Sequence, residues 1–158
     1  MKRVWPKYYG KLPFDIVHIL QVVADCIGDR KIEFKKSFSG VVTYHDPCYL
    51  ARGWGKGQEI ITQPRAIIKS IPGIKFVEME YNRRHTRCPG SGGGLRRTNQ
   101  ELSLKMAIAL IKDAENTGAN ILLTSCPAVK ERLDLVVEEQ HKTDLDVQDI
   151  LDFAGNLI

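Results

Sequence analysis

Apolar stretches that run straight into turns, each followed by a helical pattern, set the fold of this chain. Val41-Val42-Thr43-Tyr44 is β-branched and aromatic, and reads as a buried strand entering the turn His45-Asp46-Pro47-Cys48. Residues 74–79 alternate apolar and charged side chains, as a half-buried strand does. Residues 121–124 are again apolar and stop at Ser125-Cys126-Pro127. Helical spacing follows each: from about Gln63, with Pro64 in the first turn, then over 101–116 and over 128–140. Residues 147–150 read as a short fourth strand and 151–158 as a terminal helix. Strand then helix, repeated, specifies a mostly parallel sheet of about four strands with helices on both faces, an α/β fold of Rossmann-like type.

The remaining segments are less regular. Ile16, Ile19, Leu20, Val23 and Ile27 give helical spacing over 14–28, with Gly28 as the stop and Cys26 in the last turn as a small core residue. Residues 31–38 alternate and read as a short edge strand. Residues 1–13 hold two prolines and the aromatics Trp5, Tyr8 and Tyr9, and predict no regular element. At 158 residues, 43% of them hydrophobic, the chain fits one domain with a full core, residues 1–158.

The net charge of +4 is scattered, with doublets only at Lys35-Lys36, Arg83-Arg84 and Arg96-Arg97. A nucleic-acid binder shows a denser basic stripe, so no nucleic acid is expected. No apolar run reaches the roughly 18 residues of a membrane helix, and no apolar signal core follows the first basic residues. The sequence therefore reads as cytoplasmic, where thiols stay reduced. Four cysteines then argue for metal or redox chemistry over structural disulfides.

In open parallel sheets, sites form beyond the carboxyl ends of the strands. The Cys48 and Cys126 turns lie at such ends, and the loop Arg87-Cys88-Pro89-Gly90-Ser91-Gly92-Gly93-Gly94 also follows a strand. Three thiolates on one edge suit a soft metal, an iron–sulfur cluster or zinc. Gly90, Gly92, Gly93 and Gly94 allow close backbone approach, and their amides can bond cluster sulfides or an anion. His45 and His85 each precede a cysteine by three positions and are candidate fourth ligands. The gaps of 40 and 38 positions between the cysteines match no Cys-x-x-Cys zinc signature. The G-x-G-x-x-G spacing of a nucleotide loop is absent. The same residues also admit plainer readings: Cys48 and Cys126 as core residues, the glycines as a simple loop, His45 as a hydrogen-bonding group within its turn. A further alternative is a thiol enzyme with one cysteine activated by His45 or His85. Arg83, Arg84 and Arg87 are placed to attract an anionic substrate or offset a cluster's negative charge.

His45-Asp46-Pro47-Cys48, Cys88-Pro89-Gly90-Ser91-Gly92-Gly93 and Thr124-Ser125-Cys126-Pro127 resemble the cysteine-rich CCG domain. That domain occurs in the B subunit of heterodisulfide reductase and in iron–sulfur subunits of glycolate oxidase, lactate-utilisation and anaerobic glycerol-3-phosphate dehydrogenase systems. Glu101-Leu102-Ser103 and Asp146-Val147-Gln148-Asp149-Ile150 also look like the family. The likeness runs from about Trp5 onward and covers one half, the C-terminal one, of the usual two-domain chain. It implies an electron-transfer domain working with a flavoprotein dehydrogenase and a ferredoxin-like iron–sulfur subunit. In heterodisulfide reductase the full cysteine set is associated with a non-cubane four-iron cluster; the three of that set present here, Cys48, Cys88 and Cys126, suit a [4Fe–4S] cubane with one open iron, or zinc with a fourth His or water ligand. Pro89 and Val129 stand where the family has two further cysteines. The alternative implied by those losses is a degenerate, metal-free CCG-fold scaffold or interaction domain.

Overall fold

The central strand β1 (Gly40–His45) pairs on both sides, and the rest of the sheet grows outward from it. The computed structural model describes residues 5–53, 57–139 and 143–158. Its other strands are β2 (Ile74–Phe76), β3 (Ile121–Thr124) and β4 (Asp146–Asp149). All neighbours are parallel, in the order β2-β1-β3-β4. Side chains of β3 split between two cores, because successive residues of a strand face opposite ways. Ile121 and Leu123 join Val42, Tyr44, Ile67 and Ile68 on one face. Leu122 joins Ala107, Leu110, Leu133 and Val147 on the other. Helices α2 (Ile19–Gly28), α3 (Thr62–Lys69) and α7 (Ile150–Gly155) cover the first face. Helices α5 (Gln100–Glu115) and α6 (Pro127–Glu139) cover the second. The expected α/β architecture, helices on both faces of a parallel four-stranded sheet, is the one observed.

From β1 the chain crosses through α3 to β2 on one side, then through α5 back past β1 to β3. Direction along the sheet reverses and the covering face changes with it, as a constant crossover hand requires. The reversal falls between the carboxyl ends of β1 and β3, where His45 pairs with Thr124, the position at which open parallel sheets place their sites.

Several expected boundaries shift, each for a local reason. The helix expected over 14–28 starts only at Ile19, because His18 caps it. The His18 ring accepts the Leu20 N–H at 3.2 Å, and the Gln21 side chain accepts the His18 N–H at 2.9 Å. Residues 31–38 form no strand. Phe34 and Phe38 pack on the first core, while the Lys35 and Lys36 N–H groups donate to the Leu157 carbonyl and Phe38 to Pro72. The strand expected over 74–79 ends at Phe76, since Glu78 leaves the ladder to pair with Arg65. Residues 1–13 do contain a regular element, the single helical turn α1 (Trp5–Tyr9), with Trp5 and Tyr9 ring centroids 4.5 Å apart. The 81–94 loop holds a 3₁₀ turn at Arg83–His85, and α4 (Leu95–Thr98) precedes α5. Gln140, the expected end of α6, lies outside the described residues. No helix among the described residues is long and apolar enough to cross a membrane.

Candidate functional site

The Cys48 turn leaves β1 as a π-helical turn, Tyr49–Gly53, which the sequence pattern did not announce. Such turns re-aim a short stretch of chain and recur at functional sites. Arg52, within it, donates from Nη1 to the carbonyls of Arg84 and Thr86, each at 2.8 Å. That fork ties the Cys48 turn to the approach of the Cys88 loop.

A second tie comes from His45. The residue is buried at the end of β1, with Nε2 2.9 Å from the Arg87 carbonyl and Nδ1 3.5 Å from Thr124 Oγ1. A carbonyl only accepts, so Nε2 carries the proton and Nδ1 of the neutral ring faces the Thr124 hydroxyl. Burial holds the imidazole below its ordinary pKa, although the Arg87 carbonyl and Asp46 pull the other way. One ring thus joins β1, β3 and the residue before Cys88. Tyr44 adds a parallel link, its buried hydroxyl 2.8 Å from Ser125 Oγ.

Beneath these turns lies an ion cluster that sequence reasoning missed. Arg65, on α3 and only 6% exposed, uses all five of its N–H donors. Nη1 and Nη2 grip the two oxygens of Asp46 at 2.8 and 2.7 Å, and Nε and Nη2 reach Glu78 at 2.7 and 2.8 Å. The remaining Nη1 donor goes to the Ile61 carbonyl at 2.7 Å. Desolvation opposes the charge on Arg65, but the hydrogen bonds and charges of Asp46 and Glu78 outweigh it and raise its pKa. Asp46 also accepts the Arg83 N–H at 2.6 Å, which fixes the start of the Cys88 loop. A signal was present: Arg65 lies four residues after Ile61 and three before Ile68, a charge on an apolar helical stripe.

The glycines divide by role. Gly90 is buried against α5 at φ +73°, and its carbonyl accepts from Ser103 Oγ at 2.9 Å. A Cβ there would come within 2.9 Å of the Ser103 Cα. Its N–H points at Cys88 Sγ, 3.4 Å away. Gly92, Gly93 and Gly94 are exposed and face open space.

All three predicted cysteines are free thiols, with Cys48 exposed and Cys88 and Cys126 half-buried. They share one neighbourhood. Desolvation first, then the charges of Cys88 and Cys126, push the Cys48 thiol above its ordinary pKa, with Arg52 opposing. A thiol pushed up is not an activated nucleophile, and the ring nitrogens of His45 face Thr124 and Arg87 rather than a sulfur. This geometry does not favour a thiol enzyme built on Cys48 and His45. His85 is exposed in its 3₁₀ turn, and Cys26 is half-buried on α2, in a different element from the three turns. Among the described residues, no three His, Cys, Asp or Glu side chains are grouped to hold a single metal ion. A lone zinc needs its thiolates about 2.3 Å from one centre, so the arrangement gives the zinc reading no support. Thiolates are also the usual donors of iron–sulfur groups, so the donor chemistry of the three free cysteines fits such a group. Pro89 is buried, and Val129 is 4% exposed within the second core.

The three arginines expected to attract anions are already engaged. Arg83 pairs with Glu78 at 3.0 Å, and Arg84 pairs with Glu59. Arg87 sits 3.3 Å from Asp113 and 3.8 Å over the Tyr81 ring.

Comparison with known proteins fits this geometry. The sequence model of the CCG cysteine-rich domain matches residues 42–128, which run from β1 through the Cys126 turn. The D subunit of dihydromethanophenazine:CoB--CoM heterodisulfide reductase from Methanosarcina barkeri is 38% identical over 155 residues, 98% of this chain and 37% of that protein. The B subunit of fumarate reductase (CoM/CoB) from Methanothermobacter marburgensis is 32% identical over 152 residues, 96% of this chain and 29% of the relative. The probable iron-sulfur-binding oxidoreductase FadF of Bacillus subtilis is 31% identical over 113 residues, 72% of this chain and 16% of the relative. The chain therefore spans little more than a third, at most, of the length of these relatives.

Proposed function

The chain belongs to the CCG cysteine-rich domain family, and on that premise we propose that it is an electron-transfer domain of a heterodisulfide-reductase-like complex. Cys48, Cys88 and Cys126 would hold an iron–sulfur cluster of [4Fe–4S] type. The observation that carries this reading is topological: the Cys48 and Cys126 turns leave the adjacent strands β1 and β3 at their carboxyl ends, and His45 and Arg52 tie the Cys88 loop to them. When bound, such a cluster supplies one-electron chemistry whose potential depends on hydrogen bonds to sulfur and on exposure.

The chain's own residues do the positioning. Gly90 offers its N–H to Cys88 Sγ and so orients that sulfur. His45 holds the Cys88 loop to the strand ends, and Arg65 with Asp46 clamps the start of that loop. Relatives are named as subunits of heterodisulfide and fumarate reductases, which supports the existence of partner subunits. We assign those partners to the classes of flavoprotein dehydrogenase and ferredoxin-like iron–sulfur subunit, and place the domain in the cytoplasm.

The test is spectroscopic. Anaerobically prepared protein, reduced with dithionite, should show a visible bleach and a paramagnetic signal. Cys48→Ser, Cys88→Ser and Cys126→Ser should each lose or shift that signal. Three variants indistinguishable from the parent would remove the cysteines from the site. One observation favours a second reading, a metal-free scaffold: Val129 is committed to core packing where the family carries a cysteine. Under that reading the protein is colourless however it is prepared, and all three variants fold unchanged.

A further inference from the structure

Arg132, on α6, is 5% exposed and shares the α6 stripe of Val129 and Val136, which joins the second core together with residues of α5. Its Nε and Nη2 atoms are buried and bond to nothing among the described residues. The contrast with Arg65, whose five donors are all used, is direct. A guanidinium stays charged at any ordinary pH, so burying it with open donors is costly unless oxygen atoms meet them. Nε and Nη2 lie along one edge of the guanidinium plane. Two parallel N–H groups on that edge match two oxygens of a carboxylate, phosphate or sulfonate.

The space beside Arg132 is a cavity of about 220 Å³ between α5 and α6. Arg96, Gln100, Leu104 and Leu135 line it. Arg96 brings a second cation, held by Glu131 at 3.0 Å. Glu139 also lines the cavity but bonds to neither open atom of Arg132. Arg96 and Gln100 line in addition a wider cleft of about 760 Å³ beside Ser91 and Gly94, so the two spaces share a wall at the glycine loop.

We propose that this cavity binds the oxoanion group of an acidic small molecule, with Arg132 as its bidentate anchor and Arg96 at the entrance. The proposal stands apart from the cluster reading, since neither Cys48, Cys88 nor Cys126 lines the cavity.

Thermal unfolding of the full chain, kept anaerobic, provides the test. Chloride is replaced at constant ionic strength by inorganic phosphate, methanesulfonate or acetate. Tm should rise saturably with at least one of the three, and the order of apparent Kd values identifies the preferred head group. In Arg132→Met the apparent Kd should weaken about tenfold or more, the scale of losing a charged bidentate contact. Its Tm in chloride alone should equal or exceed that of the parent, because an unpaired buried charge is gone. Arg96→Ala, at a more exposed position, should weaken binding about threefold and keep the fold. Glu139→Gln should tighten it. A parent protein indifferent to all three anions would overturn the proposal, as would a response that Arg132→Met retains in full. Should Arg132→Met not fold, Arg96→Ala decides, and an unchanged Kd there overturns it. A protein that carries no iron yet responds to an anion separates this inference from the cluster reading.

Discussion

Arg65 holds two carboxylates, the buried Asp46 and the half-buried Glu78, and it serves the site without touching a cysteine. Removing it leaves Asp46, 1% exposed, without its ion pair and with only the Arg83 N–H, and Glu78 with Arg83 as its one remaining cation among the described residues. Arg65→Met should lower the unfolding free energy by about 3–5 kcal/mol, as loss of one partner of a buried pair does. Urea unfolding measures this, and a loss below about 1 kcal/mol would mean the cluster is already solvated. Arg65→Lys should recover little, because an ammonium lacks the planar fork that reaches both carboxylates. His45 makes a pH prediction. Burial keeps its folded pKa below the ordinary value of 6.5, so below that pH the unfolded chain takes up a proton that the folded chain refuses. Stability should therefore be independent of His45 above about pH 6.5 and fall as pH drops through that value. His18, also lowered by desolvation, adds to the same slope. His45→Gln should reduce the slope between about pH 7 and 5 and leave the share from His18. An unchanged slope would show that His45 titrates normally.

At the level of elements, the Gly90 turn against α5 is the tightest joint in the site. Gly90→Ala places a Cβ 2.9 Å from the Ser103 Cα at a φ of +73°, so α5 or the loop must move. A cost of about 1–3 kcal/mol is expected. Gly92→Ala meets nothing within 4 Å and should be nearly neutral. Equal losses in the two variants, read by thermal unfolding, would contradict this division of the loop. The same joint shows what a sequence carries and what it hides. β3 was legible to the residue because all of 121–124 is buried and nothing competes with its pattern. The 31–38 alternation misled because its period reports Phe34 and Phe38 reaching the core, while the backbone bonds elsewhere. The π-helical turn after Cys48 has no periodic signal in so short a stretch. Arg65 and Arg132 were both visible as charges on apolar stripes. Which of them is paired depends on distant residues, Asp46 and Glu78 for Arg65 and, for Nε and Nη2 of Arg132, none among the described residues, and spacing does not encode that.

Across the whole molecule, the strand order carries the functional argument. Reversal at β1 puts the Cys48 and Cys126 turns on adjacent strand ends, and Arg52 and His45 draw the Cys88 loop to them. That the three turns can share one edge of the sheet was legible from the strand–helix order, by the rule that places sites beyond strand ends; the strand order and its reversal were not. The identity of what the thiols hold was legible only through resemblance, since the gaps between them fit no local metal signature. The most direct test is elemental: iron, acid-labile sulfide and zinc measured on one anaerobically purified sample. Iron and sulfide in equal amounts, about four of each per chain as a [4Fe–4S] cluster requires, with both lost in Cys88→Ser, is the predicted result. Protein never exposed to oxygen that contains neither iron nor sulfide would contradict the cluster reading and leave the scaffold in its place.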